Sequence, residues 1–265
     1  MANKNKFEVG LNEALNLTLN NLYHLDSESV DLTEAIGRVP CSNIYSLVDS
    51  PSVAASLKDG YAVLASDISH ASVSEPVRLR SAGYRAAGSM EKVHVTSGQA
   101  VRVMTGAAIP PGADAVVSEE FTKEEGEAIS VFNYAEKGRN ILDRGNDVYK
   151  GQCVANKGIP LSPADIGQIA AGGHGKVSVV RNPVVAVVST GDEVIAPGHP
   201  MSEGKVYASN MATLVAWCRK HGMKTYSTVV SDDAEEIAAA LEFFFNISDV
   251  IITSGGAWTG DRDMV

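Results

Sequence analysis

Five apolar residues stand in a row after Pro183: Val184-Val185-Ala186-Val187-Val188. A strand without polar alternation must be covered on both faces. The residues that follow repeat the demand. The pattern predicts a helix at about 210–221, ended by Gly222, then a strand at Lys224–Val230. A second helix is expected at about 234–247, with Ala238, Leu241, Phe244 and Phe245 on its buried side, and then the strand Val250-Ile251-Ile252-Thr253. This βαβαβ succession predicts a doubly wound parallel sheet. Three such strands with one flank open expose an apolar edge and face, so a partial domain is expected here.

Upstream the period is different. Val77-Arg78-Leu79-Arg80, Val93-His94-Val95 and Ala100-Val101-Arg102-Val103-Met104 alternate apolar and polar residues. Ala115-Val116-Val117 and Ile129-Ser130-Val131-Phe132 add short strands, with glycines and prolines between. Residues of about 75–135 therefore predict an all-β module, a small barrel or sandwich. Residues 46–60 are rich in Ser, Ala and Pro and read as a connecting loop. The fold class expected is α/β plus β, multidomain, with a β-rich module and a partial doubly wound parallel α/β domain.

Three shorter features complete the organisation. Leu11, Leu15, Leu19, Leu22 and Leu25 recur at helical spacing over 8–25. Val30-Asp31-Leu32 leads to a short helical turn, capped by Thr33 and closed by Gly37. Ser162-Pro163-Ala164-Asp165 opens a compact helix that Gly172-Gly173 ends.

The formal charge of −10 argues against a general nucleic-acid binder, because phosphate backbones are held by clustered Lys and Arg. Cys41, Cys153 and Cys218 are scattered and no CxxC occurs, so neither a zinc site nor a disulfide framework is expected. Three reduced thiols, mostly packed as small apolar groups, fit a cytoplasmic protein. No run is long and apolar enough for a membrane span or a signal peptide, so no membrane role is expected.

In open α/β sheets, ligands bind beyond the carboxyl ends of the strands. Ser189-Thr190-Gly191-Asp192-Glu193, Asp232-Asp233 and Ser254-Gly255-Gly256 sit at three such ends. Gly255 and Gly256 let the main chain approach a ligand and aim N–H groups at a phosphate, and Thr190 adds a hydroxyl. Glu193, Asp232 and Asp263 would set carboxylates around one crevice, where they share a cation or stay hydrated. Oxygen ligands favour a hard ion such as Mg²⁺. Each motif also has a plain structural reading: Gly191-Asp192 as a turn, Asp232 or Asp233 as a helix cap, Gly255-Gly256 as a loop. No GxGxxG, Walker loop, G-x-S-x-G or H-x-x-x-H is present, which disfavours nicotinamide, P-loop, serine-hydrolase and zinc chemistry.

Further motifs fall in the β-rich part: Asp59-Gly60-Tyr61-Ala62, Met104-Thr105-Gly106-Ala107, Pro110-Pro111-Gly112-Ala113-Asp114-Ala115-Val116-Val117 and Gly145-Asn146-Asp147. Followed by Ser189–Glu193, Asp232-Asp233, Ser254-Gly255-Gly256 and Gly260-Asp261-Arg262-Asp263, they keep the order found in the molybdopterin molybdenumtransferase family, which includes the insertase half of gephyrin. The chain resembles that family over nearly its whole length.

The resemblance implies a molybdopterin-binding doubly wound domain formed by 7–26 and 178–265, incomplete at its end. It implies a small mixed domain of 27–46 and 147–177, and an inserted β-rich module of 47–146. It implies a homodimer whose active site combines the pterin domain of one subunit with the β module of the other. Asp59, Thr105, Asp147, Glu193 and Asp263 match the family's catalytic positions. Thr190, Gly191, Asp232, Ser254, Gly255 and Gly256 match positions that hold the pterin substrate, and Glu193, Asp232 and Asp263 are the implied Mg²⁺ ligands. The implied reaction takes adenylated molybdopterin and molybdate and releases AMP and molybdenum cofactor. Molybdopterin adenylyltransferase is the implied partner.

The chain also departs from the family pattern. Lys58 places a cation beside Asp59, and Trp258 places a large ring after the Ser254-Gly255-Gly256 motif. The family's basic Lys-Pro-Gly-Lys-Pro stretch and final β domain have no counterpart, so the chain is expected to be a truncated form that turns over poorly alone. These departures support an alternative reading, a non-catalytic molybdopterin-binding or carrier protein of the same fold. A third is an unrelated nucleotide or sugar-phosphate binder.

Overall fold

A computed structural model describes residues 9–89 and 91–255. Its elements run as follows: helix α1 (Leu11–Asn21), strand β1 (Ser27–Asp31), a 3-10 turn (Leu32–Glu34), then β2 (Ile44–Tyr45), β3 (Ala55–Ser56), β4 (Gly60–Val63), β5 (Val77–Arg85) and β6 (Gln99–Val103). Next come β7 (Ala115–Ser118), β8 (Thr122–Glu125), β9 (Ala128–Val131), β10 (Ile141–Leu142), β11 (Cys153–Ala155), α2 (Pro163–Ala171) and β12 (Lys176–Val180). The last are β13 (Val184–Thr190), β14 (Val194–Ile195), β15 (Val206–Tyr207), α3 (Ser209–Lys220), β16 (Lys224–Val230), α4 (Ala234–Phe245) and β17 (Val250–Ser254). The chain forms two compact units: Met1–Val30 with Gly37–Cys41 and Ser178–Val265, and Asp31–Ile36 with Ser42–Val177.

In the first unit β13 is the centre of a parallel sheet of order β16-β13-β17. The apolar run has the cause expected of it. Val185 and Val187 pack with Ala208 and Met211 on the α3 side. Ala186 and Val188 pack with Phe244 and Leu241 on the α4 side. Successive side chains point to opposite faces, so a strand covered twice is apolar at every position.

The face of α4 differs from expectation. Ile237 and Phe244 are buried and Leu241 is half-buried, whereas Ala238 is exposed and Phe245 is 79% exposed. The buried stripe runs i, i+4, i+7, and Phe245 falls one residue beyond it. Asp233 starts the helix by accepting from the N–H groups of Glu235 (2.9 Å) and Glu236 (3.0 Å).

In the second unit β7-β4-β6-β5-β9-β8 form one six-stranded sheet. Its strands alternate between two cores. Tyr61, Val63, Leu79, Val117 and Val131 face one, with Ile68 and Ile129. Ala62, Val101, Val103 and Val116 face the other, with Val95 and Ala107. Val93-His94-Val95 is not a strand. Both edges of β6 are taken, by β4 and by β5, so no sheet edge is left there for it. Val95 serves as a plug instead: it is 1% exposed and its N–H bonds Pro111 O at 2.9 Å.

The 46–60 segment is more ordered than a plain loop. It contains β3, which pairs with β10, and it ends where β4 begins. Gly60 occupies a place with no room for a side chain: a Cβ there would lie 2.0 Å from Val117 O. Ser162 and Asp165 form a reciprocal capping box at α2, as its sequence predicts. Thr33 is not a cap, because Asp31 holds the position before the 3-10 turn and makes no side-chain capping bond. Helix α1 is shorter than its leucine pattern, and Leu11, Leu15 and Leu19 are exposed. Cys41 and Cys218 are partly covered, and Cys153 is exposed rather than packed. No helix among the described residues is long and apolar enough to cross a membrane.

Candidate active site

The sheet of the first unit brings its strand ends together through specific bonds. Ser189 Oγ donates to Ser254 O at 3.3 Å, which ties β13 to β17. Gly191 N–H donates to Val230 O at 3.2 Å, and Asp232 N–H donates to Asp192 Oδ1 at 3.2 Å, which ties β13 to the end of β16. Thr190 is 4% exposed and lies against Gly255. A Cβ at Gly255 would fall 2.2 Å from Thr190 Oγ1, and φ is +150°. Glycine is therefore required for close packing as much as for any approach to a ligand.

Glu193 leaves β13 on an exposed turn, and its main-chain O accepts from Val206 N at 2.8 Å. Its carboxylate folds back over Gly191: a Cβ on Gly191 would meet both oxygens at 2.9 Å. Asp192, Glu193 and Asp232 thus stand at neighbouring strand ends. A cavity of about 540 Å³ opens next to them, lined by Val194, Ile195, His199, Met211, Thr228 and Val229. The recess is mostly apolar, with His199, Ser227 and Thr228 as its polar lining, a composition common in small-molecule sites. Because Asp233 takes the cap of α4, Asp232 is free of that duty.

Gly256 and Asp263 lie outside the described residues. Among the described residues no three His, Cys, Asp or Glu side chains form a group that could hold a metal ion. Glu193 and Asp232 alone do not complete the set expected for Mg²⁺.

The second unit holds another cluster. Asp59 sits between β3 and β4, and Thr105 follows β6. Thr105 donates to one oxygen of Asp59, Oδ1, from its N–H at 2.7 Å and its hydroxyl at 2.8 Å. These two bonds favour the ionised form and hold the Asp59 carboxyl below its ordinary value of 3.8. The Thr105 hydroxyl is thus spent on orienting Asp59. A carboxylate of lowered pKa is a weak proton acceptor near neutral pH but a good acceptor of hydrogen bonds. Lys58 is exposed beside it, its main chain folded by Ser56, whose Oγ donates to Lys58 O at 2.6 Å.

Asp147 is exposed on the loop after β10. Its N–H bonds Ser50 O at 2.9 Å. The structure joins Asp59 to Thr105 directly and anchors Asp147 to the segment leading to β3. Two residues carry contacts that their sequence setting does not announce. Asp192 stood inside a recognised motif, and only the fold shows that it receives Asp232. Asp49 had no motif signal, yet its carboxylate accepts from Arg144 Nε at 2.6 Å and from Lys150 N at 2.7 Å.

Residues 9–173 match the family model of the MoeA N-terminal region (domain I and II), and residues 186–265 match the probable molybdopterin binding domain. The chain belongs to the MoeA family. It is 35% identical over 238 residues to molybdopterin molybdenumtransferase 2 of Mycobacterium tuberculosis, covering 89% of this chain and 59% of that one. It is 34% identical over 245 residues to the molybdopterin molybdenumtransferase of Bacillus subtilis, covering 91% and 57%. The crystal structure of a molybdopterin biosynthesis MoeA protein from Pyrococcus horikoshii OT3 superposes with a TM-score of 0.84 at 36% identity, covering 93% of this chain and 66% of that one. The chain therefore spans less than two thirds of the length of these MoeA relatives. The fold expected from the sequence, α/β plus β in several domains, is the MoeA fold.

Proposed function

We propose that the chain is a molybdenum insertase that takes adenylated molybdopterin and molybdate and releases AMP and molybdenum cofactor. The observation that carries this reading is the joining of three strand ends by Asp192, Asp232, Ser189 and Ser254 beside an apolar recess. Family membership supplies the substrate class, since its relatives are molybdopterin molybdenumtransferases.

In this reading Thr190, Gly191, Ser254, Gly255 and Gly256 face the phosphate-bearing end of the substrate, and Asp232 and Glu193 border it. Main-chain N–H groups at strand ends suit a phosphate. Asp59, fixed by Thr105, accepts hydrogen bonds from the substrate and fixes its orientation. Asp147 and Asp263 are the further acids that the family resemblance assigns to the reaction. Holding the oxyanion and the dithiolene in one geometry is a proximity effect. Mg²⁺ belongs to this proposal as the ion that neutralises the pyrophosphate. No step is assigned to it, because the described acids do not complete a site.

The finer assignments belong to the same proposal: a cytoplasmic homodimer, supplied by molybdopterin adenylyltransferase, with domains divided at 27–46 and 147–177, 47–146, and 7–26 and 178–265. Three free thiols support a reducing compartment. The test is release of AMP from adenylated molybdopterin with and without molybdate. Tight pterin binding with no AMP release would favour the carrier reading. Sedimentation equilibrium tests the dimer.

A further inference from the structure

We propose that Asp49 is a positioning residue for Asp147, clamping both ends of the loop that presents it. The inference rests on the insertase reading, which gives Asp147 its role.

The loop runs from Arg144 to Lys150. Asp49 Oδ2 accepts from Arg144 Nε at 2.6 Å, and Oδ1 accepts from Lys150 N at 2.7 Å. One carboxylate thus meets the first and last residues of the loop with different oxygens. Between those ends the main chain follows residues 50–51. Gly145 N bonds Pro51 O at 2.9 Å, Asp147 N bonds Ser50 O at 2.9 Å, and Ser50 N bonds Val148 O at 2.8 Å. Val148 is 2% exposed and anchors the middle of the loop in the core. Asp147 is exposed, so its carboxylate is carried by a loop whose main chain is fixed on both sides.

The chemistry of the clamp calls for a carboxylate. Arg144 and the Lys150 N–H are both donors, so both oxygens of residue 49 must accept. An Asn there turns an NH₂ toward one of them, and one end of the loop loses its partner. The Asp49 side chain is 16% exposed, whereas that of Arg144 is 67% exposed. The Lys150 N–H first, and then Arg144, hold the Asp49 carboxyl below its ordinary value, so the clamp stays ionised at neutral pH.

The test compares Asp49→Asn, Arg144→Gln and Arg144→Lys with Asp147→Ala in the full chain. Amide hydrogen exchange is read at Asp147 and Val148, with AMP release over a range of substrate concentrations and thermal unfolding. We expect Asp49→Asn to speed exchange at both amides and to lower kcat about tenfold, with KM within about twofold. Arg144→Gln should do the same more weakly, and Arg144→Lys should recover part of the loss. If Asp49→Asn unfolds, Arg144→Gln decides, since its side chain is largely in solvent. Unchanged exchange in the clamp variants overturns the inference, as does full kcat where Asp147→Ala is impaired. An Asp147→Ala protein of normal turnover, or an unaltered chain that releases no AMP, counts against the insertase reading instead. Exchange alone then decides whether the clamp exists.

Discussion

Thr105 gives both of its donors to one oxygen of Asp59, from the main-chain N–H at 2.7 Å and from the hydroxyl at 2.8 Å. The two residues are 46 positions apart and are brought together where β4 and β6 lie side by side. Each bond favours the charged carboxylate, so the Asp59 pKa lies below 3.8. Thr105→Val removes the hydroxyl and keeps the N–H. The Asp59 carboxyl should then titrate at higher pH, closer to its ordinary value, and the acid limb of activity should move the same way. Carbon NMR of the Asp59 carboxyl checks this. No upward shift would mean that the hydroxyl does not hold the carboxylate in solution.

Arg181 and Asp249 form a two-pronged ion pair in the first unit, through bonds of 2.7 and 2.8 Å. Asp249 also accepts from Val184 N at 2.8 Å, where β13 begins. Arg181 first, and then that N–H, lower its carboxyl from 3.8 to about 2. A depressed carboxylate stabilises the fold above its unfolded pKa, and the effect is lost as pH falls through the folded value. Asp249→Asn should cost about 1–2 kcal/mol at pH 7, discounted for the partly exposed Arg181. The gap between the proteins should close between about pH 4 and pH 2. Denaturant unfolding at several pH values reads it, and a gap that is independent of pH would contradict the assignment.

Gly255→Ala tests the packing of the strand ends. The added Cβ would lie 2.2 Å from Thr190 Oγ1 and 2.7 Å from Thr190 O. Relief requires Gly255 to move away from Thr190. Pterin affinity should fall by roughly tenfold or more, while thermal stability drops modestly because Gly255 is exposed at the sheet end. Unaltered affinity would separate Gly255 from the substrate.

Cation dependence has its own test. If Mg²⁺ acts on the pyrophosphate, EDTA should abolish AMP release and added Mg²⁺ should restore it, with pterin binding largely kept. Equal turnover in EDTA would remove the ion from the proposal.

The parallel sheet was legible because Val184–Val188 could satisfy one environment alone, burial on both faces. The β module was legible from its period of two. Val93-His94-Val95 has that same period and is no strand, because the edges of β6 were already occupied. That is a competition between segments, which periodicity does not record. Phe245 misled for a local reason: one helical step of about 100° turns it away from Ile237 and Phe244. At the site, the acids were readable as motifs, and Asp59 and Thr105 were both named. Their direct bond was not readable, since it joins two loop residues 46 positions apart. Asp49 was invisible for a further reason: its partners are a side chain and a main-chain N–H about a hundred residues away, and no local pattern marks such a pairing.

The central claim is that the chain uses molybdate to turn over adenylated molybdopterin. Single-turnover AMP release, with and without molybdate, measures this most directly. The account predicts slow AMP release that depends on molybdate and falls at least tenfold further in Asp59→Ala and Glu193→Ala. Substrate that stays adenylated in the presence of molybdate, while remaining bound to the protein, would contradict it.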